Sequence, residues 1–126
     1  MKILRFLVVF AFLACAAEAA TSPLISGDPR DVPIKGMVTM VDIGAKACIP
    51  CKMMIPVIES LSEEYEGRAA IVFIDVWKNP DEAEKFGIRA IPTQIFYDRD
   101  GREVMRHEGY FPKDAIVNVL TKLGAE

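Results

Sequence analysis

The stretch A-C-I-P-C-K-M-M-I-P, residues 47 to 56, decides how this chain is read. Its two cysteines, Cys48 and Cys51, stand three residues apart where a helical pattern begins. Met53, Met54, Val57, Ile58, Leu61 and Tyr65 recur at three- and four-residue steps, and Glu59, Ser62, Glu63 and Glu66 supply the polar side. The pattern predicts a helix from about Ile49 to Glu66, kinked at Pro56. Residues i and i+3 of a helix are neighbours, close enough for a disulfide without large backbone movement. A cysteine at a helix N-terminus also meets unpaired N–H groups and the positive end of the helix dipole, both of which favour the thiolate. Cys48, the outermost, is therefore expected to be the exposed nucleophile. Cys51, one turn in, is expected to be shielded and to resolve a mixed disulfide. Pro50 suits the first turn and stiffens it.

Other uses of such a pair are weaker. A tetrahedral metal site needs four ligands, and two cysteines supply half of them. The single histidine, His107, is placed on a strand far along the chain and reads as a surface residue. Met53 and Met54 fit a packed helix face better than a copper site. A static disulfide closing so small a loop would stabilise little. No metal or cofactor is expected.

Outward from the motif, M-V-T-M-V-D-I-G (37–44) is an apolar run suited to a buried strand, and A-A-I-V-F-I-D-V (69–76) is a second. N-P-D-E-A-E-K-F-G (79–87) reads as a short helix with Asn79 as cap, Pro80 in the first turn and Gly87 at the exit. T-Q-I-F-Y-D and R-E-V-M-R-H flank R-D-G and read as a hairpin. A last helix from about Pro112 to Leu123 puts Ile116, Val119, Leu120 and Leu123 on one face. The order β-α-β-α-β-β-α predicts an α/β fold, with a parallel core and antiparallel strands added at one side.

Before this domain, residues 20–36 hold three prolines and two glycines and read as an extended linker or arm without helix. Residues 1–19 begin with Lys2 and Arg5, continue as F-L-V-V-F-A-F-L-A-C-A-A and end in A-E-A, the pattern of a secretory signal peptide cut near Ala19. The apolar run is short for a membrane span of about 20 residues. A retained anchor is one alternative. Lipidation at Cys15 is another, since F-L-A-C resembles a bacterial lipoprotein processing site with Phe12 where leucine is usual. Of 126 residues, 52% are hydrophobic and the net charge is −3. That length suits one domain, and nothing is basic enough for nucleic acid or an anionic membrane. Beyond Cys15, one cysteine pair does not make a disulfide scaffold.

From about Met37 to Leu123 the chain resembles the thioredoxin family. The residues that carry this are V-D-I-G-A-K-A-C-I-P-C-K-M-M-I-P, then K-F-G-I-R-A-I-P-T, D-R-D-G-R-E-V and E-G-Y. The resemblance implies a mixed sheet of four or five strands with helices on both faces, residues 37–126 forming the domain. It implies a cis peptide before Pro92 beside the cysteines, and a client-binding surface made by Ile49, Pro50, Ile91, Pro92 and Thr93. It also implies that Asp42, buried in its strand at some cost, manages the proton of Cys51. The chain departs from the family at Ala47, where tryptophan is usual, at Ile43 and Gly44 after the aspartate, and at Phe73, where a lysine is expected. Trp77 is a candidate to fill the vacated space or to pack elsewhere.

Together these features predict a monomeric, exported thiol–disulfide oxidoreductase that reduces protein disulfides through the Cys48–Cys51 couple in a bacterial periplasm. Its electrons would come from a membrane thiol-electron transporter of the DsbD/CcdA type. A disulfide-forming oxidase or isomerase, and a binding or chaperone module with idle cysteines, are the rival readings.

Overall fold

The computed structural model describes residues 22–126, so the expectations for residues 1–19 lie outside it. Its elements follow the predicted order. Strand β1 (Val38–Gly44) leads to helix α1 (Ile49–Glu64), strand β2 (Ala69–Asp75) and helix α2 (Pro80–Lys85). Strands β3 (Thr93–Tyr97) and β4 (Glu103–Glu108) form the hairpin, and helix α3 (Lys113–Lys122) ends the domain. The four strands lie in the order β2-β1-β3-β4, with β1 and β2 parallel and the other pairs antiparallel. A parallel pair needs a crossover, and α1 supplies it.

The two faces of the sheet follow from side-chain alternation along each strand. Val38, Met40, Ile71, Phe73 and Phe96 face α1 and α3, meeting Met54, Ile58, Leu61, Ile116 and Leu120. Val41, Ile43, Val72, Ile74 and Ile95 face the other way, toward Ala83, Phe86 and Ile88 of α2 and its exit. Both faces of β1, β2 and β3 are buried, which explains why their sequences read as apolar runs. Strand β4, at the edge, alternates between exposed and half-buried residues.

The arm is more structured than a linker. Pro23–Ile25 form a 3-10 turn that Ser22 caps, its side chain accepting from the Leu24 N–H. Gly27 bridges to Ile74 of β2, and Leu24, Val32 and Ile34 pack on the α2 face. The physical reason is that these apolar residues find core to cover, which a proline and glycine count does not reveal. The Val32–Pro33 peptide is cis, which the sequence reading did not foresee.

Three smaller expectations change. Helix α1, which contains Pro56, ends at Glu64 rather than near Glu66. Met53 is 53% exposed while Met54 is fully buried, because Cys51, Met54, Ile58 and Leu61 form the inward stripe. Asn79 stands at the α2 cap position without capping it; its side-chain amide donates instead to the carbonyls of Gly27 and Asp75, pinning the arm.

Candidate active site

Asp75, at the end of β2, builds the floor of the site. Its carboxylate accepts the backbone N–H groups of Lys46 at 3.1 Å, Trp77 at 3.0 Å and Lys78 at 3.1 Å. Burial pulls its pKa upward, but the three amides outweigh this and hold it below the ordinary carboxylate value. The clamp ties the turn that precedes Cys48 to β2. Sequence reading missed it, taking residues 69–76 as uniformly apolar; the one acid in that run was the available signal.

From this turn the chain enters α1 with Cys48 as the N-cap residue, in extended conformation. No side chain caps the helix there, so its first N–H groups have no side-chain partner at the N-cap. Cys48 and Cys51 are free thiols. Cys48 is 8% exposed and Cys51 is not exposed at all. The predicted nucleophile is therefore the more accessible residue of the two but is largely covered, because Ala45 and Ile91 pack against the pair. Burial pushes the Cys51 thiol up to about 12, and its hydrogen bond with Cys48 and the charges of Cys48 and Asp42 add to the rise. A hydrogen bond to the Ala45 backbone pulls the other way, more strongly than either charge pushes.

Asp42 is fully buried behind the cysteines. Its Oδ1 accepts a 2.8 Å hydrogen bond from Gln94 Nε2, while Oδ2 has no partner. Burial pushes its pKa up to about 7, against the lowering pull of Gln94. Gly44 explains how the acid and the inner thiol come together. A Cβ at this position would lie 3.3 Å from Cys51 Sγ and 3.5 Å from Asp42 Oδ2, so the missing side chain opens the space between them. Phe73 stands beside Asp42 in the β1–β2 register and brings no charge.

The loop before β3 completes the site. The Ile91–Pro92 peptide is cis, and half-buried Ile91 touches the cysteine cluster. Pro92 is buried, and its carbonyl accepts the Gly109 N–H at 2.7 Å. Thr93 is buried too, its hydroxyl donating to the Ala90 carbonyl at 2.6 Å, so its side chain serves the loop itself. Ile49 and Pro50 are exposed beside Cys48, and Met53, one turn along from Ile49, extends that apolar surface. Trp77 is 59% exposed, so most of its ring lies on the surface.

His107 is not the plain surface residue that its isolation in sequence suggested. It is half-buried, its Nδ1 lies 2.9 Å from Gln94 Oε1, and its ring stacks on Phe111 at 4.1 Å. Gln94 was missed; a glutamine at an inward position of an apolar strand was the clue.

A buried thiol, a more accessible thiol at an open helix end and a buried acid beside them can exchange a disulfide and move one proton. The comparisons with known proteins agree. The Thioredoxin family model matches residues 31–122. A thioredoxin of Staphylococcus aureus (strain Mu50) is 41% identical over 92 residues, covering 73% of this chain and 88% of that protein. Among solved structures, a chloroplastic thioredoxin z is 30% identical with a TM-score of 0.65, covering 72% of this chain and 81% of that one. The thioredoxin NaTrxh from Nicotiana alata is 38% identical with a TM-score of 0.61, covering 69% of this chain and 73% of that one. With a family model spanning most of the domain and relatives at this identity and coverage, the chain belongs to the thioredoxin family and is a protein thiol–disulfide oxidoreductase.

Proposed function

We propose that this protein is an exported reductant of protein disulfides, with Cys48 as nucleophile, Cys51 as resolving thiol and Asp42 as proton acceptor. The observation that carries the division of labour is the burial of Cys51 beside the unpartnered Oδ2 of Asp42, behind the more accessible Cys48. Cys48 thiolate attacks a client disulfide, forming a bond to one client sulfur and releasing the other as thiolate. Cys51 then gives its proton to Asp42 Oδ2 and attacks Cys48. The Cys48–Cys51 bond forms, the Cys48–client bond breaks, and the client sulfur leaves with the electron pair. The client is reduced by two electrons and the protein is oxidised.

Reduction is favoured over oxidation by what the motif lacks. Strong oxidants stabilise their thiolate further, and Ile49-Pro50 brings no cation or histidine between the cysteines. Ile49, Pro50, Met53 and the Ile91–Thr93 loop frame Cys48 as the surface for an extended client segment. Export rests on the basic start, the short apolar run and A-E-A at residues 17–19, with processing at Cys15 as the tethered variant. In a periplasm kept oxidising, such a reductant draws electrons from a membrane thiol-electron transporter of the DsbD/CcdA type. The reduction potential of the Cys48–Cys51 couple tests the direction of flow. A value near the roughly −270 mV of thioredoxin supports the reductant, and one near the roughly −120 mV of a strong oxidant overturns it. Mass spectrometry of the protein recovered from cells tests export: a chain starting near Ala20 supports it, and an intact Met1–Lys2 terminus overturns it.

A further inference from the structure

Asp42, Gln94 and His107 occupy neighbouring register positions on β1, β3 and β4, and their side chains form one hydrogen-bonded row across the sheet. An ionised carboxylate only accepts hydrogen bonds, so beside it Gln94 presents its NH₂ group. That orientation turns Gln94 Oε1 toward His107, and the 2.9 Å contact then requires a hydrogen on Nδ1. Stacking on Phe111 fixes the imidazole plane, and Phe96 braces Phe111 edge-on at 6.2 Å.

The geometry points to Gln94 and His107 as positioning residues for the resolving step. His107 Nδ1–H locks the Gln94 amide with its NH₂ on Asp42 Oδ1, favouring the carboxylate and leaving Oδ2 free for the Cys51 proton. His107 touches neither cysteine nor Asp42; it acts through Gln94. Without its N–H the amide is free to turn. Its oxygen would then meet Oδ1, which only a protonated Asp42 can satisfy.

The surroundings leave this row few electrostatic competitors. At the Asp42 end the titratable neighbours are Cys51 and, beyond it, Cys48. On β2, Phe73 is apolar. The charged residues beside His107 on β4 are engaged away from it: Arg106 with Glu103 and the Phe86 carbonyl, Glu108 with Arg89. Lys113, at the start of α3, is held by Glu64 and Ser60.

The inference rests on the proposed role of Asp42, and its test reads Asp42 directly. Carbon-13 NMR of the Asp42 carboxyl in the reduced protein gives its titration midpoint in wild type and in Gln94→Leu, His107→Leu and His107→Asn. Loss of a hydrogen bond to a charged group should raise the midpoint by about one pH unit in Gln94→Leu. His107→Leu should raise it in the same direction. His107→Asn, whose amide can place an N–H near the position of Nδ1, should restore most of the wild-type value. Release of a chromogenic thiol from Cys48 should shift its pH profile in parallel, while the first attack by Cys48 stays unchanged. A wild-type midpoint in both leucine variants would overturn the inference, as would equal midpoints in His107→Leu and His107→Asn. If the midpoints move as expected but the pH profile of release does not, the role of Asp42 as acceptor fails and the row remains. Thermal melts accompany each variant, so that a folding defect is not read as a titration effect.

Discussion

Asp42 and Cys51 hide their ionisable atoms in the same small space, and the charge of Asp42 adds to the cost of ionising Cys51. Above a pH of about 7 Asp42 is ionised and can take the proton that Cys51 holds up to about 12. Asp42→Asn should therefore slow the resolving step by at least about 10²-fold at pH 8, in the range of lost general-base catalysis. The first attack should keep its rate. Rapid-mixing measurement of both phases checks this, and equal losses in the two would return Asp42 to a structural role. The cysteines themselves separate in a trapping experiment. Cys51→Ser should accumulate reductant-sensitive adducts with clients, and Cys48→Ser should not, because Cys51 has no exposed surface. An empty trap with folded Cys51→Ser protein would favour a binding module.

The helices and strands were legible where burial follows a period, and less so where a contact joins distant segments. Helix α1 was readable because its inward residues recur at helical spacing, although Met53 fell on the wrong side of the boundary between faces. The apolar runs of β1, β2 and β3 marked strands buried on both sides. The cysteine pair, Asp42 and the Ile91–Pro92 loop were found through motif and resemblance. Gln94, His107 and Asp75 were not, since the contacts that tie them to other segments span 13 to 52 residues and depend on the fold. The arm was undervalued for the same reason. Deleting residues 22–35 should remove cover from the α2 face by exposing the packing of Leu24, Val32 and Ile34. At roughly 1 kcal/mol for each half-buried apolar side chain, the loss should be about 2–4 kcal/mol. Urea unfolding of the truncated chain measures it, and an unchanged midpoint would show the arm to be a passive tether. Asp75→Ala belongs with this prediction. It strands three backbone N–H groups near the motif and should cost about 2–4 kcal/mol by the same assay.

For the molecule as a whole, the buried acid sets a pH dependence of folding. Asp42 titrates at about 7 in the native state against 3.8 for an ordinary aspartate. The folded chain therefore binds the proton more tightly than the unfolded chain. Its contribution to stability is fully present below about pH 4 and is lost as pH rises through about 7. The loss is on the order of 4 kcal/mol at most, from about three pKa units at 1.36 kcal/mol each. Unfolding of the reduced protein at pH 5 and pH 8 should show this decline, and Asp42→Asn should flatten it and be the more stable form at pH 8. A wild type that gains stability over that range would contradict the assignment.

Among the described residues the sheet also has two margins, β2 and β4, and an exposed margin can accept a foreign strand. Along β4 the charges of Glu103, Arg106 and Glu108 discourage such an addition. Residues 69–74 of β2 carry no charge at all and resemble the segments that seed intermolecular sheets. The arm comes alongside this strand, with the Asp75 N–H donating to the Gly27 carbonyl at 2.9 Å. At Ile74 and Asp75 the arm occupies the edge position that a foreign strand would need, so a chain shortened past Gly27 would present an open edge there.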